Sequence, residues 1–293
     1  MSELGASGTG CLRVGLGAMP LSTQGRPDRA QAVMTVHAAL DAGVRMIDTA
    51  DAYCLSSVDV GHNESLIAEA IATWGGPSDK VVVATKGGHV RDVDGAWQTN
   101  GRREHIAAAA RASRQRLGIA AIPLYYLHRP DPAVPFIESV GALATLRDQG
   151  VIQAAGLSNV DVRQLVAAAE IVPIAAVQNS FSPYDTSSVP VVEWCHDRSI
   201  PFVAWAPLGG AQRVRSIGSD RETAGHARVA AAHGVSVAQA VLAWVLAFSP
   251  VMVVIPGARR VASIVDAVAA ASLELTKDEL QELNESFAGA QGR

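Results

Sequence analysis

The amino-acid sequence predicts an α/β fold, a (β/α)8 TIM barrel formed by a single domain over residues 1–293. Two observations predict this fold class. Short apolar segments alternate eight times with longer segments of helical periodicity, and strands that are apolar on both faces are typical of a parallel sheet covered by helices. No change in composition divides the chain, and its length is close to that of most barrels of this kind.

The eight predicted units follow one another without a linker between domains. The predicted strands lie at 12–19, 44–50, 80–88, 124–128, 152–159, 175–180, 201–208 and 251–257. The predicted helices lie at 29–43, 63–75, 102–118, 136–150, 162–171, 189–199, 229–248 and 261–272. This regular alternation favours a closed barrel.

The first helix shows the signals on which these boundaries depend. Val33, Val36 and Leu40 recur at helical spacing and form an apolar face. Asp28 is placed to accept hydrogen bonds from the first turn, and Gly43 is placed to end the helix. The sequence therefore predicts a helix between these two residues.

The longest insertions all follow predicted strands. They lie at 54–63, 88–101 and 209–224, after strands two, three and seven. Because the loops that follow barrel strands share one rim, and catalytic residues of such barrels lie on that rim, these insertions are expected to shape the site.

A doubly wound sheet with a nucleotide-binding glycine loop is the alternative fold. The segment GASGTG at 5–10 has a glycine-rich pattern, but it precedes its strand and opens no helix. A phosphate-binding glycine loop must follow a strand and begin a helix. We therefore interpret this segment as a flexible N-terminal turn.

Composition and charge exclude several classes of function. Hydrophobic residues make up 49% of the chain and charged residues 18%, which favours a folded core over disorder. The net charge of −4 argues against nucleic-acid binding. The sequence contains no uninterrupted apolar run of about 20 residues, so no membrane span is expected. The N-terminus lacks the pattern of a signal peptide. We expect a cytoplasmic monomer or small homo-oligomer.

The cysteines do not indicate a metal centre or a disulfide framework. Cys11, Cys54 and Cys195 are widely spaced and odd in number. Reduced thiols in a cytoplasmic protein are the expected state, and no bound metal is predicted.

Four residues at strand ends carry chemistry. Asp48, Lys86 and His128 end the second, third and fourth predicted strands, and Tyr53 follows Asp48 by five residues. In a barrel, all four are expected on one rim. Each of these residues, taken alone, also has a purely structural interpretation. Asp48 and Lys86 are consistent with an ion pair at the rim. Tyr53 is consistent with a surface loop and His128 with the core.

Motifs around these residues occur in a familiar order. IDTADAY at 47–53 and GHNE at 61–64 precede TK at 85–86, LHRPD at 127–131, GLSN at 156–159, QNS at 178–180 and IPG at 255–257. In this order they resemble the aldo-keto reductase superfamily over residues 12–285. The resemblance implies a barrel that binds NADPH without a Rossmann domain, with Asp48, Tyr53, Lys86 and His128 as the catalytic residues.

The chemistry of these four residues is consistent with that resemblance. Reduction of a carbonyl needs a hydride on carbon and a proton on oxygen, and a tyrosine of ordinary pKa, about 10, is a weak acid at neutral pH. We expect the Lys86 ammonium to lower the pKa of Tyr53 and Asp48 to hold Lys86 charged. His128 is expected to donate a hydrogen bond to the substrate oxygen.

The resemblance also implies a cofactor cleft, with NADPH preferred and NADH possible. Ser158, Asn159 and Gln178 are expected at the nicotinamide carboxamide, Trp205 beneath the ring, and Arg259 and Arg260 at the 2′-phosphate. The remaining predicted cofactor residues are Gly17, Ala18, Met19, Asp48, Ala206, Pro207, Leu208, Gly209, Ile255, Gly257, Ser263 and Asp266.

The chain departs from the family pattern at the adenine end. Ser263 and then Asp266 and Ala267 stand where a Gln or Arg and then Glu-Asn are common, so the asparagine contact is missing. We expect Asp266 to replace the acid.

The substrate pocket is expected to combine polar and aromatic side chains. Its predicted lining is Met19, Tyr53, Cys54, His89, Trp97, His128 and Arg129. Three functions remain open: NADPH-dependent reduction of an aldehyde or ketone, oxidation of a sugar or alcohol by the same site in reverse, and a cofactor-binding regulatory subunit with negligible turnover.

Overall fold

A computed structural model describes the backbone of residues 13–291 and the side chains of residues 13–285. The strands are β1 (Leu16–Gly17), β2 (Met46–Asp48), β3 (Val82–Gly87), β4 (His89–Arg91), β5 (Trp97–Thr99), β6 (Leu124–Leu127), β7 (Ala155–Ser158), β8 (Ile174–Ser180), β9 (Phe202–Trp205) and β10 (Met252–Val254). The helices are α1 (Arg29–Asp41), α2 (His62–Thr73), α3 (Arg103–Leu117), α4 (Phe136–Asp148), α5 (Val162–Ala169), α6 (Val189–His196), α7 (Gly210–Arg213), α8 (Ala224–His233), α9 (Val237–Phe248), α10 (Val261–Ala269) and α11 (Lys277–Gln291).

Eight of these strands form one parallel sheet that closes on itself. They pair in chain order, β1-β2-β3-β6-β7-β8-β9-β10. The first and last strands meet at a parallel bridge between Val14 and Val254, and the Gly15 amide donates to the Val254 carbonyl over 2.8 Å. The predicted single-domain (β/α)8 barrel is therefore confirmed. The segment 5–10 and Cys11 lie outside the described residues.

The first helix follows its sequence signals. Asp28 accepts a hydrogen bond of 2.8 Å from the Gln31 amide, as expected of an N-cap residue. The helix ends at Asp41, and Gly43 takes a left-handed conformation with φ of 98° two residues later.

The single helix predicted over 229–248 is wrong. The chain there forms α8 and α9, which meet at an angle of 105°. Gly234 ends α8 with φ of 65°, and Ser236 caps α9 by accepting a hydrogen bond from the Gln239 amide. Among residues 13–291, no single helix is long and apolar enough to span a membrane. Only this bent pair reaches that length and composition when its two helices are counted together.

The insertion at 88–101 contains a small antiparallel hairpin that the sequence did not predict. Its strands, β4 and β5, pair outside the barrel sheet, with His89 opposite Thr99 and Arg91 opposite Trp97. The Ser57 amide donates to the Asp92 carbonyl over 2.9 Å, which joins the hairpin to the loop after β2.

Two apolar layers hold the barrel together. The larger fills the space between the strands and the surrounding helices. The smaller fills the barrel interior and consists of Met46, Ala84, Leu124, Tyr126, Ala154, Ala176, Val203, Val253 and Ile255. Because side chains alternate between the two faces of a strand, a residue two positions beyond an interior residue also points inward, one layer nearer the rim.

Candidate active site

The inward-pointing layer above the apolar interior is polar. Asp48 lies two residues beyond Met46, Lys86 two beyond Ala84, His128 two beyond Tyr126, Gln178 two beyond Ala176, and Trp205 two beyond Val203. The strand period therefore brings these side chains to the centre of one rim.

Lys86 is the hub of this layer. Its side chain is fully buried, and its ammonium donates to Asp48 Oδ1 over 2.5 Å, to Tyr53 Oη over 2.9 Å and to the Thr49 carbonyl over 3.0 Å. These three contacts match the three donors of an ammonium group. Burial is the largest single effect and favours the neutral amine, but the charges of Asp48 and Tyr53 and their hydrogen bonds together outweigh it and raise the pKa of Lys86 above its ordinary value. We conclude that Lys86 and Asp48 form a buried ion pair.

Gln178 completes the surroundings of Asp48. Its Nε2 donates a hydrogen bond of 2.7 Å to Asp48 Oδ2, so both oxygens of this carboxylate are engaged. The sequence predicted Gln178 as a nicotinamide contact. The structure places its amide N–H against Asp48, where it stabilises the negative charge of the buried pair, and the nicotinamide contact stays a prediction.

Tyr53 lies on the loop after β2 and is 7% exposed. Burial raises the pKa of Tyr53, and the Lys86 ammonium opposes that rise without reversing it. Lys86 thus lowers the pKa of Tyr53 as expected, but the net pKa lies above its ordinary value, because the loss of solvent around the phenol is the larger effect. Tyr53 is a neutral phenol that accepts a hydrogen bond from Lys86 and keeps its own proton to donate.

His128 lies beside Tyr53 at the end of β6, with ring centroids 5.6 Å apart in an edge-to-face arrangement. Its backbone is fixed on both sides, since its amide donates to the Gly87 carbonyl over 2.9 Å and Asn159 Nδ2 donates to its carbonyl over 2.9 Å. Burial, together with the charge of Lys86, lowers the pKa of His128 well below its ordinary value. The imidazole is therefore neutral at physiological pH.

The hairpin backs His128 with a stack of side chains. His89 meets His128 edge to face at 5.0 Å and stacks on Trp97 at 4.4 Å. The Arg91 guanidinium lies 3.5 Å from the centroid of the Trp97 ring. His89, which the sequence predicted as pocket lining, therefore contacts His128 directly, and Trp97 contacts it through His89. The sequence did not predict the order of this stack.

Asn63 has a supporting role that we did not assign from the sequence. Its Nδ2 donates to the Ala18 carbonyl over 2.9 Å, and its Oδ1 accepts from Thr49 Oγ1 over 2.5 Å. It therefore ties the loop after β1 to the end of β2, whose Thr49 carbonyl holds Lys86. The motif GHNE that contains Asn63 was the signal available in the sequence.

Four of the predicted nicotinamide-end residues lie close to these groups. Ser158 ends β7 and is buried, and Asn159 follows it in a left-handed conformation with φ of 59°. Asn159 Nδ2 also donates to Ser158 Oγ over 2.9 Å. Trp205 ends β9 half-buried, and its Nε1 has no partner among the described residues. Gln178, engaged with Asp48, is the fourth.

The backbone around the cleft makes several close approaches. A Cβ on Gly17 would lie 2.6 Å from the Ile255 carbonyl oxygen, and one on Gly257 would lie 2.7 Å from Pro20 Cγ. The segment 206–209 turns sharply, with φ of 48° at Ala206 and 79° at Gly209. The other predicted residues on these loops are Ala18, Met19, Pro207 and Leu208.

The structure separates the two predicted phosphate-binding arginines. Arg259 donates from Nη2 to the Gln24 carbonyl over 2.7 Å and from Nε to the Pro20 carbonyl over 3.3 Å, so it ties the loop after β1 to the loop after β10. Arg260 is exposed, precedes α10 as its N-cap, and makes no side-chain hydrogen bond there. Arg260 is therefore the more available of the two for a phosphate.

Asp266 is engaged elsewhere. Its two oxygens accept hydrogen bonds of 2.7 Å each from Ser236 Oγ and Gln239 Nε2, at the start of α9. Contact with adenine would require at least one of these bonds to break. Ser263 is half-buried in the first turn of α10. Both adenine contacts stay predictions.

The predicted substrate residues differ in accessibility. Met19 is 43% exposed and Trp97 40%, both at the mouth of the barrel, and Arg129 is exposed beside His128. Cys54 is fully buried, and burial raises the pKa of its thiol to about 11. Cys54 is therefore a buried thiol that is protonated at neutral pH, and its contact with the substrate stays a prediction. Within the described part of the chain, no cluster of three His, Cys, Asp or Glu side chains could hold a metal ion.

Comparison with known proteins identifies the family of this chain. A sequence profile described as the Aldo/keto reductase family matches residues 13–287. The chain belongs to this family. An uncharacterised oxidoreductase of Schizosaccharomyces pombe is 31% identical over 283 residues, which cover 93% of this chain and 86% of that protein.

Solved aldo-keto reductases share the architecture. The thermostable aldo-keto reductase Tm1743, crystallised with the inhibitor epalrestat, superposes with a TM-score of 0.81 at 28% identity, over 97% of this chain and 98% of that chain. An aldo/keto reductase from Klebsiella pneumoniae in complex with NADP and acetate gives a TM-score of 0.78 at 27% identity, over 94% of this chain and 91% of that chain. The aldo/keto reductase described here is therefore an oxidoreductase enzyme.

Proposed function

We propose that this aldo/keto reductase reduces an aldehyde or ketone to the alcohol with NADPH as the cofactor. The observation that carries the proposal is the Lys86 ammonium, which bonds Tyr53 Oη over 2.9 Å and Asp48 over 2.5 Å in a fully buried position. A phenol held against a buried ammonium is a proton donor whose conjugate base is stabilised where it forms.

The residues at the rim fit a nicotinamide cofactor. Ser158 and Asn159 offer hydroxyl and amide groups to a carboxamide, which needs both a donor and an acceptor. The half-buried Trp205 offers an aromatic face, and its Nε1 lacks a partner among the described residues. The Klebsiella pneumoniae relative was crystallised with NADP. We propose NADPH rather than NADH because the Arg260 side chain makes no hydrogen bond within the described part of the chain and lies at the start of α10, where a helix also favours an anion.

When bound in this cleft, NADPH would supply the hydride to the substrate carbon. Tyr53 supplies the proton to the substrate oxygen: its O–H bond breaks as the new O–H bond forms, and a phenolate remains. The raised pKa of Tyr53 keeps this proton in place at neutral pH until the substrate oxygen becomes basic.

Lys86 and Asp48 act on that phenolate. The Lys86 ammonium already donates to Tyr53 Oη, so negative charge that develops there meets a preorganised positive charge. Asp48 keeps Lys86 protonated and oriented, and Gln178 holds Asp48 in turn. Neither Asp48 nor Gln178 needs to transfer a proton.

His128 orients the substrate. A neutral imidazole carries one N–H, and the Nδ1 atom of His128 is buried without a partner among the described residues. We infer that the proton is on Nε2, because an unpaired buried donor is costly and Nε2 can donate to the substrate oxygen. That hydrogen bond aligns the carbonyl with Tyr53.

Oxidation of an alcohol is the second candidate. The same residues would catalyse this reverse reaction, because Tyr53 can take back the proton that it donates in reduction. A regulatory subunit without turnover is less favoured, because Tyr53, Lys86, Asp48 and His128 are all in contact or adjacent.

Cys54 and Cys195 are buried free thiols, which supports a cytoplasmic location.

The test follows nicotinamide absorbance with purified protein in both directions. We expect NADPH consumption with an aromatic aldehyde to be faster than NADP⁺ reduction with the matching alcohol at neutral pH. Faster oxidation of alcohols would favour the dehydrogenase, and cofactor binding without turnover in either direction would favour the regulatory subunit.

A further inference from the structure

We infer that Arg129 makes this site selective for carbonyl compounds that carry a carboxylate group apart from the reacting carbonyl. The inference rests on the proposed function, because it assigns the substrate class of the same site. It comes from the position of Arg129, from the absence of a hydrogen-bond or ion-pair partner for it among the described residues, and from the exposed apolar side chains at the mouth.

Arg129 leaves the barrel next to the group that is proposed to orient the substrate. It directly follows His128, whose backbone is held by the Gly87 carbonyl and by Asn159 Nδ2, so the starting point of the Arg129 side chain is fixed. Arg129 itself is exposed at the rim. The rim is also the side from which a substrate enters a barrel of this class.

The guanidinium of Arg129 makes no hydrogen bond or ion pair with the side chains described for residues 13–285. Three other cations near the pocket are engaged. Lys86 makes three hydrogen bonds, Arg91 donates to the Gly95 carbonyl and lies on Trp97, and Arg26 forms an ion pair of 2.9 Å with Asp59. Arg129 therefore adds an uncompensated positive charge to this rim.

Neither Asp131, two residues further along the chain, nor Asp48 in the site neutralises that charge by contact. Asp131 accepts hydrogen bonds from the amides of Gly101 and Ala133 over 2.8 and 2.9 Å. Asp48 is paired with Lys86. Both carboxylates are thus committed to positions inside the protein.

The charge of Arg129 reaches into the pocket. Together with burial, which is the larger cause, it lowers the pKa of His89 to about 4 and contributes to the low pKa of His128. Both imidazoles are consequently neutral and do not compete with Arg129 for an anion. A guanidinium matches the two oxygens of a carboxylate with two parallel hydrogen bonds, which favours this anion.

The mouth also carries exposed apolar side chains. Trp97 is 40% exposed and is held rigidly between His89 and Arg91, and Met19 is 43% exposed at the loop after β1. An apolar body against Trp97 with a carboxylate at Arg129 would use both features. Aromatic aldehydes that bear a ring carboxylate have this chemistry.

The experiment compares 4-carboxybenzaldehyde with its methyl ester, methyl 4-formylbenzoate, by kcat/KM for NADPH-dependent reduction. Arg129→Gln is expected to lower the carboxylate-to-ester ratio by about tenfold, as for loss of a hydrogen-bonded charge pair. Dividing the ratio of the variant by that of the wild type removes the difference in intrinsic reactivity between the two aldehydes. Arg129→Lys is expected to retain part of the preference, because it keeps the charge but not the fork.

Arg147→Gln is the matched control. Arg147 is exposed in the last turn of α4, at the opposite end of the barrel. Its substitution by Gln therefore removes the same charge at a site far from the mouth. We expect it to leave the ratio unchanged. The inference is overturned if Arg129→Gln lowers kcat/KM for acid and ester equally, or if Arg147→Gln moves the ratio as much.

Failure of the proposed function gives a different result. If the wild type reduces neither aldehyde, the reductase proposal fails, and the inference is then tested by calorimetric Kd values of the two compounds for the protein saturated with NADP⁺. A Kd ratio that changes in Arg129→Gln supports the anion site even then, and an unchanged ratio overturns it.

Discussion

Gln178 Nε2 donates a hydrogen bond of 2.7 Å to Asp48 Oδ2, across the barrel interior from β8 to β2. Together with Lys86 on the other oxygen, this bond holds both oxygens of a carboxylate that is 1% exposed. Lys86 in turn holds Tyr53. The position of the proposed acid therefore depends on a residue that never touches it.

The Gln178→Met variant tests this dependence. Removal of the amide leaves Asp48 Oδ2 buried without its donor, which should lower the free energy of unfolding by about 2 kcal/mol. It should also lower kcat/KM by about tenfold, because Lys86 is oriented less firmly. Chemical denaturation and steady-state assays measure the two effects. Gln149→Met, at an exposed position after α4, is the control; equal losses in both variants would contradict the account.

Arg259 and Arg260 should contribute differently to cofactor choice. Arg260→Ala is expected to lower the preference for NADPH over NADH by about tenfold, because a charge-assisted contact to the 2′-phosphate is lost. Arg259→Ala should affect both cofactors alike, since Arg259 binds the Pro20 and Gln24 carbonyls and holds the loop after β1. The Kd values of the two cofactors for each variant measure this. A larger change in preference for Arg259→Ala would reverse the assignment.

Asp51 should make the stability of the protein depend on pH. Burial, together with the charge of Glu64, raises the pKa of Asp51 to about 8, and one of its oxygens is buried without a partner among the described residues. An unfolded aspartate has a pKa of about 3.9. Between these values the folded protein binds a proton that the unfolded chain releases, so the free energy of unfolding falls as pH rises from about 4 to about 8.

The Asp51→Asn variant removes this titration. Between pH 5 and pH 8 the wild type should lose about 4 kcal/mol of stability more than the variant, because each pKa unit corresponds to about 1.4 kcal/mol. Denaturation at the two pH values measures the difference. Asp79→Asn, at an exposed site, should keep the slope of the wild type. Parallel slopes for the wild type and Asp51→Asn would show that Asp51 does not bind this proton.

The sequence was sufficient to predict the barrel and to predict that the four catalytic candidates lie close together. Apolar strands identify the interior, and the period of two then places Asp48, Lys86 and His128 above it on one rim. Where a polar residue ends each of several parallel strands, the strand period alone determines which face of the sheet its side chain leaves, whatever its rotamer.

The parts that the sequence did not predict depend on tertiary contacts. The strands of the hairpin, β4 and β5, are three residues each and mostly lack apolar alternation, so nothing marked them within the insertion. Arg259 binds backbone carbonyls, which have no sequence signature. The pKa of Tyr53 depends on how much solvent the fold removes. The break between α8 and α9 was readable, since Gly234 followed by Ser236 is a stop and a start signal.

The central claim is that Tyr53 supplies the proton, and a single-turnover experiment tests it most directly. Protein preloaded with NADPH is mixed with an aromatic aldehyde, and the loss of nicotinamide absorbance is followed for the wild type, Tyr53→Phe and Tyr125→Phe. Tyr125 is the control because its buried hydroxyl has no partner among the described residues. We predict that Tyr53→Phe binds NADPH with nearly unchanged Kd and reduces the aldehyde at least about a hundredfold more slowly, in the range of a lost general acid, while Tyr125→Phe reacts like the wild type. A Tyr53→Phe rate close to that of the wild type would contradict the account.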